Sequence, residues 1–106
     1  MGKYLIQSSY TSEGIKGLIK EGGTGRRAAI EKAYASMGGK VEAFYYAFGE
    51  TDVYVIADVP DNVSMAALAL TVSASGAAMV KTTVLLTPEE IDAAGKKSPS
   101  YRSPGQ

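Results

Sequence analysis

The hydrophobic pattern changes period several times along the chain, and each change marks an element. Residues 3–10, Lys-Tyr-Leu-Ile-Gln-Ser-Ser-Tyr, combine β-favouring side chains with rough alternation after Leu5 and predict a first strand. Thr11 and Ser12 then break the strand and offer helix-capping hydroxyls. Ile15, Leu18 and Ile19 fall at i, i+3 and i+4, the spacing of a short amphipathic helix over about 12–21 despite Gly14 and Gly17. Gly22-Gly23 ends it. Thr24 is placed to cap a second, longer helix with Ala29, Ile30, Ala33 and Met37 on one side and Arg27, Glu31 and Lys32 towards water. Gly38-Gly39 stops this helix where a left-handed residue is wanted.

From Lys40 to Phe48 the period becomes two: Val41, Ala43, Tyr45 and Ala47 alternate with Glu42, Phe44, Tyr46 and Phe48. After Gly49-Glu50-Thr51-Asp52 comes Val-Tyr-Val-Ile-Ala-Asp-Val over 53–59, so the second and third strands are expected to form an antiparallel hairpin. Pro60-Asp61-Asn62 closes the third strand. The helix expected over about 63–77 carries Met65, Leu68, Leu70 and Val72 among alanines and serines, and a helix apolar nearly all round requires burial on more than one side. Residues 79–87 form a fourth strand. Thr87-Pro88-Glu89-Glu90 then supplies a capping hydroxyl, a proline at the first helical position and a glutamate three residues after the cap, the sharpest local signal in the chain. The short helix it starts ends at Gly95. A domain over 1–94 and a flexible tail over 95–106, with Pro99 and Pro104 among serines and glycine, are expected.

Strand, helix, strand, strand, helix, strand is the split βαβ order. It predicts an α+β, ferredoxin-like (βαββαβ) fold, a four-stranded antiparallel sheet with helices on one face. The helix side of the hairpin is assigned to Val41, Ala43, Ala47, Val53, Val55 and Ala57, small enough for alanine-rich helices to approach closely. The other side would then show Phe44, Tyr46, Phe48, Tyr54 and Ile56, with only the short carboxy-terminal helix left in the chain to cover it. So many exposed aromatic side chains exceed what a monomer ordinarily leaves in water. A second copy, sheet against sheet across a two-fold axis, is the simplest cover, and a homodimer is expected. The competing reading displaces the faces of one strand by one residue.

Composition narrows the chemistry. The 106 residues include neither cysteine nor histidine, which excludes thiolate nucleophiles, disulfides, zinc sites with Cys or His ligands, Ser-His-Asp triads and imidazole acid–base work. Carboxylate, lysine, arginine, tyrosine and hydroxyl chemistry remains, and neither a metal nor a cofactor is expected. Eleven basic residues balance eleven acidic ones, so the long-range attraction on which nonspecific nucleic-acid binders rely is missing, and no nucleic-acid partner is expected. The amino end has one charge and too short an apolar run for a secretory leader, and Ile6 stands where a myristoylation motif needs Ser or Thr. No residue from Asn62 to Val80 is charged, but Ser64, Thr71, Ser73, Ser75 and Gly76 interrupt the run and no aromatic residue anchors its ends. A cytoplasmic protein with no membrane partner is the expectation.

Four groups of residues are candidates for a site. Glu50 and Asp52 flank the hairpin turn, where a carboxylate can act as a general base or hold a hard cation through oxygen ligands, although two carboxylates are a thin shell for one; solvating the turn or capping a backbone amide is their plainer role. Gly22-Gly23-Thr24-Gly25-Arg26-Arg27 brings glycines and two arginines to a helix start, a place for a phosphate or carboxylate, although the spacing is not that of a P-loop. Positive residues there oppose the helix dipole, and the anion they face is a ligand, Glu21, Glu31 or a neighbouring subunit. Tyr10, Tyr46 and Tyr54 can line a cavity or simply fill a core or an interface. Asp58 and Lys81 interrupt apolar strands, as a pair, facing a pocket or as solvated edge residues. Asp52 is the first choice for a catalytic group, and Tyr10, Tyr46, Asp52, Arg26 and Arg27 for ligand binding.

Lys3-Tyr-Leu-Ile-Gln, Glu21-Gly-Gly-Thr-Gly-Arg-Arg-Ala-Ala-Ile-Glu-Lys, Ala43-Phe-Tyr-Tyr-Ala-Phe-Gly, Asp52-Val-Tyr-Val-Ile, Pro60-Asp61 and Lys81-Thr-Thr-Val-Leu-Leu-Thr-Pro-Glu-Glu together resemble the GYD-domain family of small bacterial proteins, over about residues 3–94. Of the Gly, Tyr, Asp signature, Gly49 and Asp52 match and Thr51 stands at the tyrosine position. The resemblance implies a ferredoxin-like fold paired as a dimeric α/β barrel, and implies no established reaction. The functional expectation is a self-associating protein with a small-molecule-binding or assembly role. The alternative, implied by likeness to the wider α/β-barrel group, is a cofactor-independent oxygenase or isomerase acting on a small aromatic or lactone-like molecule.

Overall fold

The computed structural model of the chain describes residues 2–106. Along it follow β1 (Gly2–Tyr10), α1 (Ser12–Glu21), α2 (Gly23–Ser36), β2 (Lys40–Tyr46), β3 (Val53–Val59), α3 (Asn62–Ala74), β4 (Ala78–Leu85) and α4 (Pro88–Gly95). The strands form one antiparallel sheet in the order β2-β3-β1-β4, the order that two split βαβ crossovers generate. Helices α1 and α2 share the first crossover and α3 makes the second.

Local chemistry sets the helix ends. The Thr11 hydroxyl accepts from the Gly14 N–H at 3.2 Å, and the Asp61 carboxylate accepts from the Ser64 N–H at 2.7 Å, so α1 and α3 each start on a side-chain cap. Thr87 and Glu90 form the reciprocal capping box expected at the start of α4. The second helix departs from expectation. Gly22, at φ +90°, is both the last cap of α1 and the first of α2, which therefore begins one residue before Thr24 and has no side-chain cap. Only a residue free of Cβ strain turns the chain so sharply between two helices.

The core lies between the sheet and the helices. Tyr4 and Ile6 of β1, Val53, Val55, Ala57 and Val59 of β3, Tyr34 of α2, and Met65 and Leu68 of α3 form it. Helix α2 packs over β2, whereas α3 packs over β3 and β4. Helix α1 reaches the sheet through Gly14, which is buried against the backbone carbonyl of Ala77.

Two expectations are corrected. A β-bulge in β2 pairs Val41 with Ala57 but Ala43 with Ile56, leaving Glu42 without a cross-strand partner. The extra residue moves everything after it to the other face. Phe44 and Tyr46 therefore lie opposite Val55 and Val53 on the helix side, and Phe44 packs on the core. Ala43 goes to the open face, while Ala47 and Phe48 fall in the loop beyond β2. Tyr54 and Ile56 stay on the open face as expected, joined by Tyr45. Second, α3 is not buried on several sides: it inserts Met65 and Leu68 and leaves Val63 and Leu70 exposed, because α2 stands over a different part of the sheet. Helix α4, the one element left in the chain for the open face, does not cover it: every one of its residues is exposed.

In sheet order from β2 to β4, one row of the open face reads Ala43, Ile56, Leu5, Thr83 and the next reads Tyr45, Tyr54, Gln7, Lys81. A third row, Lys40, Asp58, Lys3 and Leu85, carries the charge.

Candidate functional site: a cavity between the sheet and two helices

Helices α2 and α3 stand apart over the sheet, and the side chains they turn towards each other include Ala29, Ala33 and Ala69. Alanines are too short to close that space, and a cavity of about 290 Å³ remains. Its walls are mostly aliphatic and aromatic, with Ile6, Val53 and Val55 from the sheet, Ile30 from α2, and Leu68 and Val72 from α3. Phe44, carried inward by the bulge, closes the β2 side.

Three polar groups of the cavity come from the end of β1 and the start of α2; Tyr34, Thr71 and Ser75 are spread along the walls formed by α2 and α3. Ser8 and Tyr10 come from the last residues of β1, and Arg26 from the second turn of α2. Register brings these together: Ser8 lies opposite Val53, which lies opposite Tyr46, and the Tyr46 hydroxyl donates to the Gly23 carbonyl at 2.8 Å. That bond ties β2 to the start of α2. Burial pushes the Tyr46 phenol above its ordinary value, reinforced by Tyr10 and Glu21 and opposed by Arg26 and Arg27. Arg26 Nη1 reaches Glu21 Oε1 at 3.4 Å. Deeper in the structure, burial pushes the phenol of Tyr34, on the wall formed by α2, up to about 12.

Asp52 belongs to a different place. Its Oδ2 accepts from the Tyr10 N–H at 2.8 Å, and its own N–H donates to the Ser8 carbonyl at 2.9 Å. The carboxylate thus fastens the hairpin to the end of β1. It borders a smaller cleft of about 210 Å³ with Leu18, Gly23, Tyr46 and Ala47, not the larger cavity. Of the five residues proposed from sequence, Tyr10 and Arg26 line the main cavity, Tyr46 and Asp52 line the cleft beside it, and Arg27 is exposed and lines neither. Glu50 is exposed on the turn, where its backbone carbonyl accepts from the Ser9 hydroxyl. Sequence reasoning missed Ser8, Phe44 and the α3 wall. The signal was the alanine content of both helices, read as close packing rather than as space.

On the open face, Lys3 bonds Glu42 and lies 3.7 Å from Asp58. These partners hold the Lys3 ammonium above its ordinary range, and Lys3 draws the Glu42 carboxyl below its own. Asp58 and Lys81 are not a pair: one lies opposite Lys3 and the other opposite Gln7. Among the described residues, no group of three or more acidic side chains is placed to hold a metal ion, and no helix is long and apolar enough to cross a membrane.

Sheet order, crossovers and the cavity beneath the helices define an α+β protein of ferredoxin-like arrangement. Within that class the chain belongs to the GYD domain family, which matches residues 4–94. No match was found among curated proteins or among solved structures.

Proposed function

We propose that this GYD-domain protein is a self-associating module that binds a small, mainly apolar molecule between its sheet and helices α2 and α3. The cavity carries the reading. A space of about 290 Å³ with aliphatic walls and a few polar groups at one end has the form of a ligand site.

Self-association rests on surface. The chain exposes 7425 Å², against about 5,700 Å² for a folded monomer of 11.1 kDa. The excess of roughly 1,800 Å² is more than the about 800 Å² per partner that a stable pair buries. It is spread over the open sheet face and the carboxy-terminal arm formed by α4 and residues 96–106. A homodimer joined face to face, with the cavity of each protomer on the outer side of its sheet, accommodates both properties.

Octan-1-ol, an apolar probe of suitable size, is expected to raise the thermal midpoint of the protein. Ala69→Phe, which puts a ring into the cavity, is expected to abolish that rise while the unliganded variant keeps its cooperative transition. An equal rise in the folded variant would move the binding site elsewhere.

A further inference from the structure

We infer that the cavity takes an amphiphilic carboxylate, its apolar body between α2 and α3 and its anionic head on Arg26. This rests on the ligand-binding reading above and adds the chemical class of the ligand. Of the described residues that line the cavity, Arg26 is the single charged one. Its charge therefore faces an otherwise neutral, largely apolar space, where a counter-charge is worth more than in water.

Within the protein that counter-charge is only loosely supplied. Glu21 reaches Arg26 through one contact of 3.4 Å, and both side chains are partly exposed. A guanidinium offers five N–H donors in a planar fork suited to a carboxylate, so most of its donors stay free for a ligand. Two further donors lie at the same end. The Ser8 and Tyr10 hydroxyls line the cavity, and neither makes a hydrogen bond to another described residue. By contrast, the Thr71 and Ser75 hydroxyls on the α3 side are bonded to the carbonyls of Ala67 and Val72. Two free donors therefore lie at the end of the cavity that carries the cation, while a third, the Tyr34 phenol, lies more than two turns further along α2.

Charge chooses among anions. Arg26 and Glu21 together sum to zero charge, so a bound monoanion adds one negative charge beside that carboxylate and a phosphate monoester dianion adds two, which favours the monoanion. Size limits the body. At about 30 Å³ for each water-sized group, the cavity holds on the order of ten non-hydrogen atoms, a medium-chain or aryl-alkyl acid.

Titration calorimetry of the full chain with octanoate and with octan-1-ol tests the inference. Octanoate is expected to bind more tightly, by about tenfold, and Arg26→Gln to remove that advantage while leaving octan-1-ol unchanged. Glu21→Gln, which frees the guanidinium, is expected to tighten octanoate severalfold, and Arg26→Lys to retain part of the preference. If octan-1-ol binds as well as octanoate and Arg26→Gln alters neither, the carboxylate assignment is overturned and the apolar cavity site stands. If neither compound binds, the cavity reading falls and the carboxylate with it. Should Arg26→Gln lose its cooperative thermal transition, Glu21→Gln and Arg26→Lys decide: octanoate affinity unmoved by both overturns the assignment.

Discussion

Tyr34 illustrates how one side chain carries both packing and a pH dependence. It is 4% exposed, in the core beneath α2, and burial there disfavours the phenolate. Its folded value of about 12 lies above the ordinary value of 10.0, so the stability gained by keeping it neutral is present in full below pH 10.0. That contribution is lost progressively as the pH rises from 10.0 through about 12, because the unfolded chain ionises first. The urea midpoint should fall over this range in the wild type and fall less in Tyr34→Phe, which lacks the titrating group. Parallel curves for the two proteins would contradict the assignment. Asp52 teaches a different lesson at the same scale. Sequence marked it as a residue of the turn that could cap a backbone amide, and the structure supplies that amide from Tyr10. What the sequence does not contain is the partner, forty-two positions away, because the hairpin and β1 meet only in the folded sheet.

At the scale of elements, legibility follows the range of the interaction. The capping box at Thr87 and Glu90 and the cap at Thr11 were readable because each is complete within four residues. Strand order followed from the sequence of elements through the handedness of crossovers. The bulge in β2 was not readable. Both faces of that strand carry apolar or aromatic side chains, so an inserted residue leaves the alternation unbroken while exchanging its meaning. The gap between α2 and α3 escaped for a related reason, since alanine is equally compatible with helices in contact and helices apart. Docking of α1 is a sharper constraint. A Cβ on Gly14 would sit 2.0 Å from the Ala77 carbonyl oxygen, with Tyr10 also crowded at 2.8 Å. Thr11 is held to the same segment by its N–H to the Ala77 carbonyl at 3.0 Å and by its hydroxyl to Gly76, so the helix has little room to back away. Gly14→Ala should cost about 1–3 kcal/mol in chemical denaturation. A cost no larger than that of Gly17→Ala, where the added atom meets nothing, would show that the segment yields freely.

For the whole molecule, shape is the informative quantity. The radius of gyration is 16.9 Å and the longest extent 57 Å, whereas a compact chain of this length has a radius of about 13 Å. The surplus lies in the carboxy-terminal arm, whose residues 88–106 are all exposed. Light scattering at micromolar concentration should give a mass near twice that of the chain. Ile56→Asp, placed in the middle of the apolar row between Ala43 and Leu5, should shift it to the single-chain mass while preserving the far-ultraviolet spectrum. A single-chain mass for the unaltered protein would remove the pairing proposal without touching the cavity. The expectation of a cover for the open face came from the order of elements, but the side chains that compose that face were not legible, since they depend on the bulge.

The same bulge has a consequence for solution behaviour over long times. Strand β2 is one rim of the sheet, and β4 is the other. A straight rim templates the addition of further strands and the growth of fibrils. Glu42 stands unpaired at the kink of one rim, and Lys81 projects from the middle of the other. Ribbon-like growth is hindered at both margins, so stacking through the broad surface, which closes after two copies, is the association that this sheet leaves open.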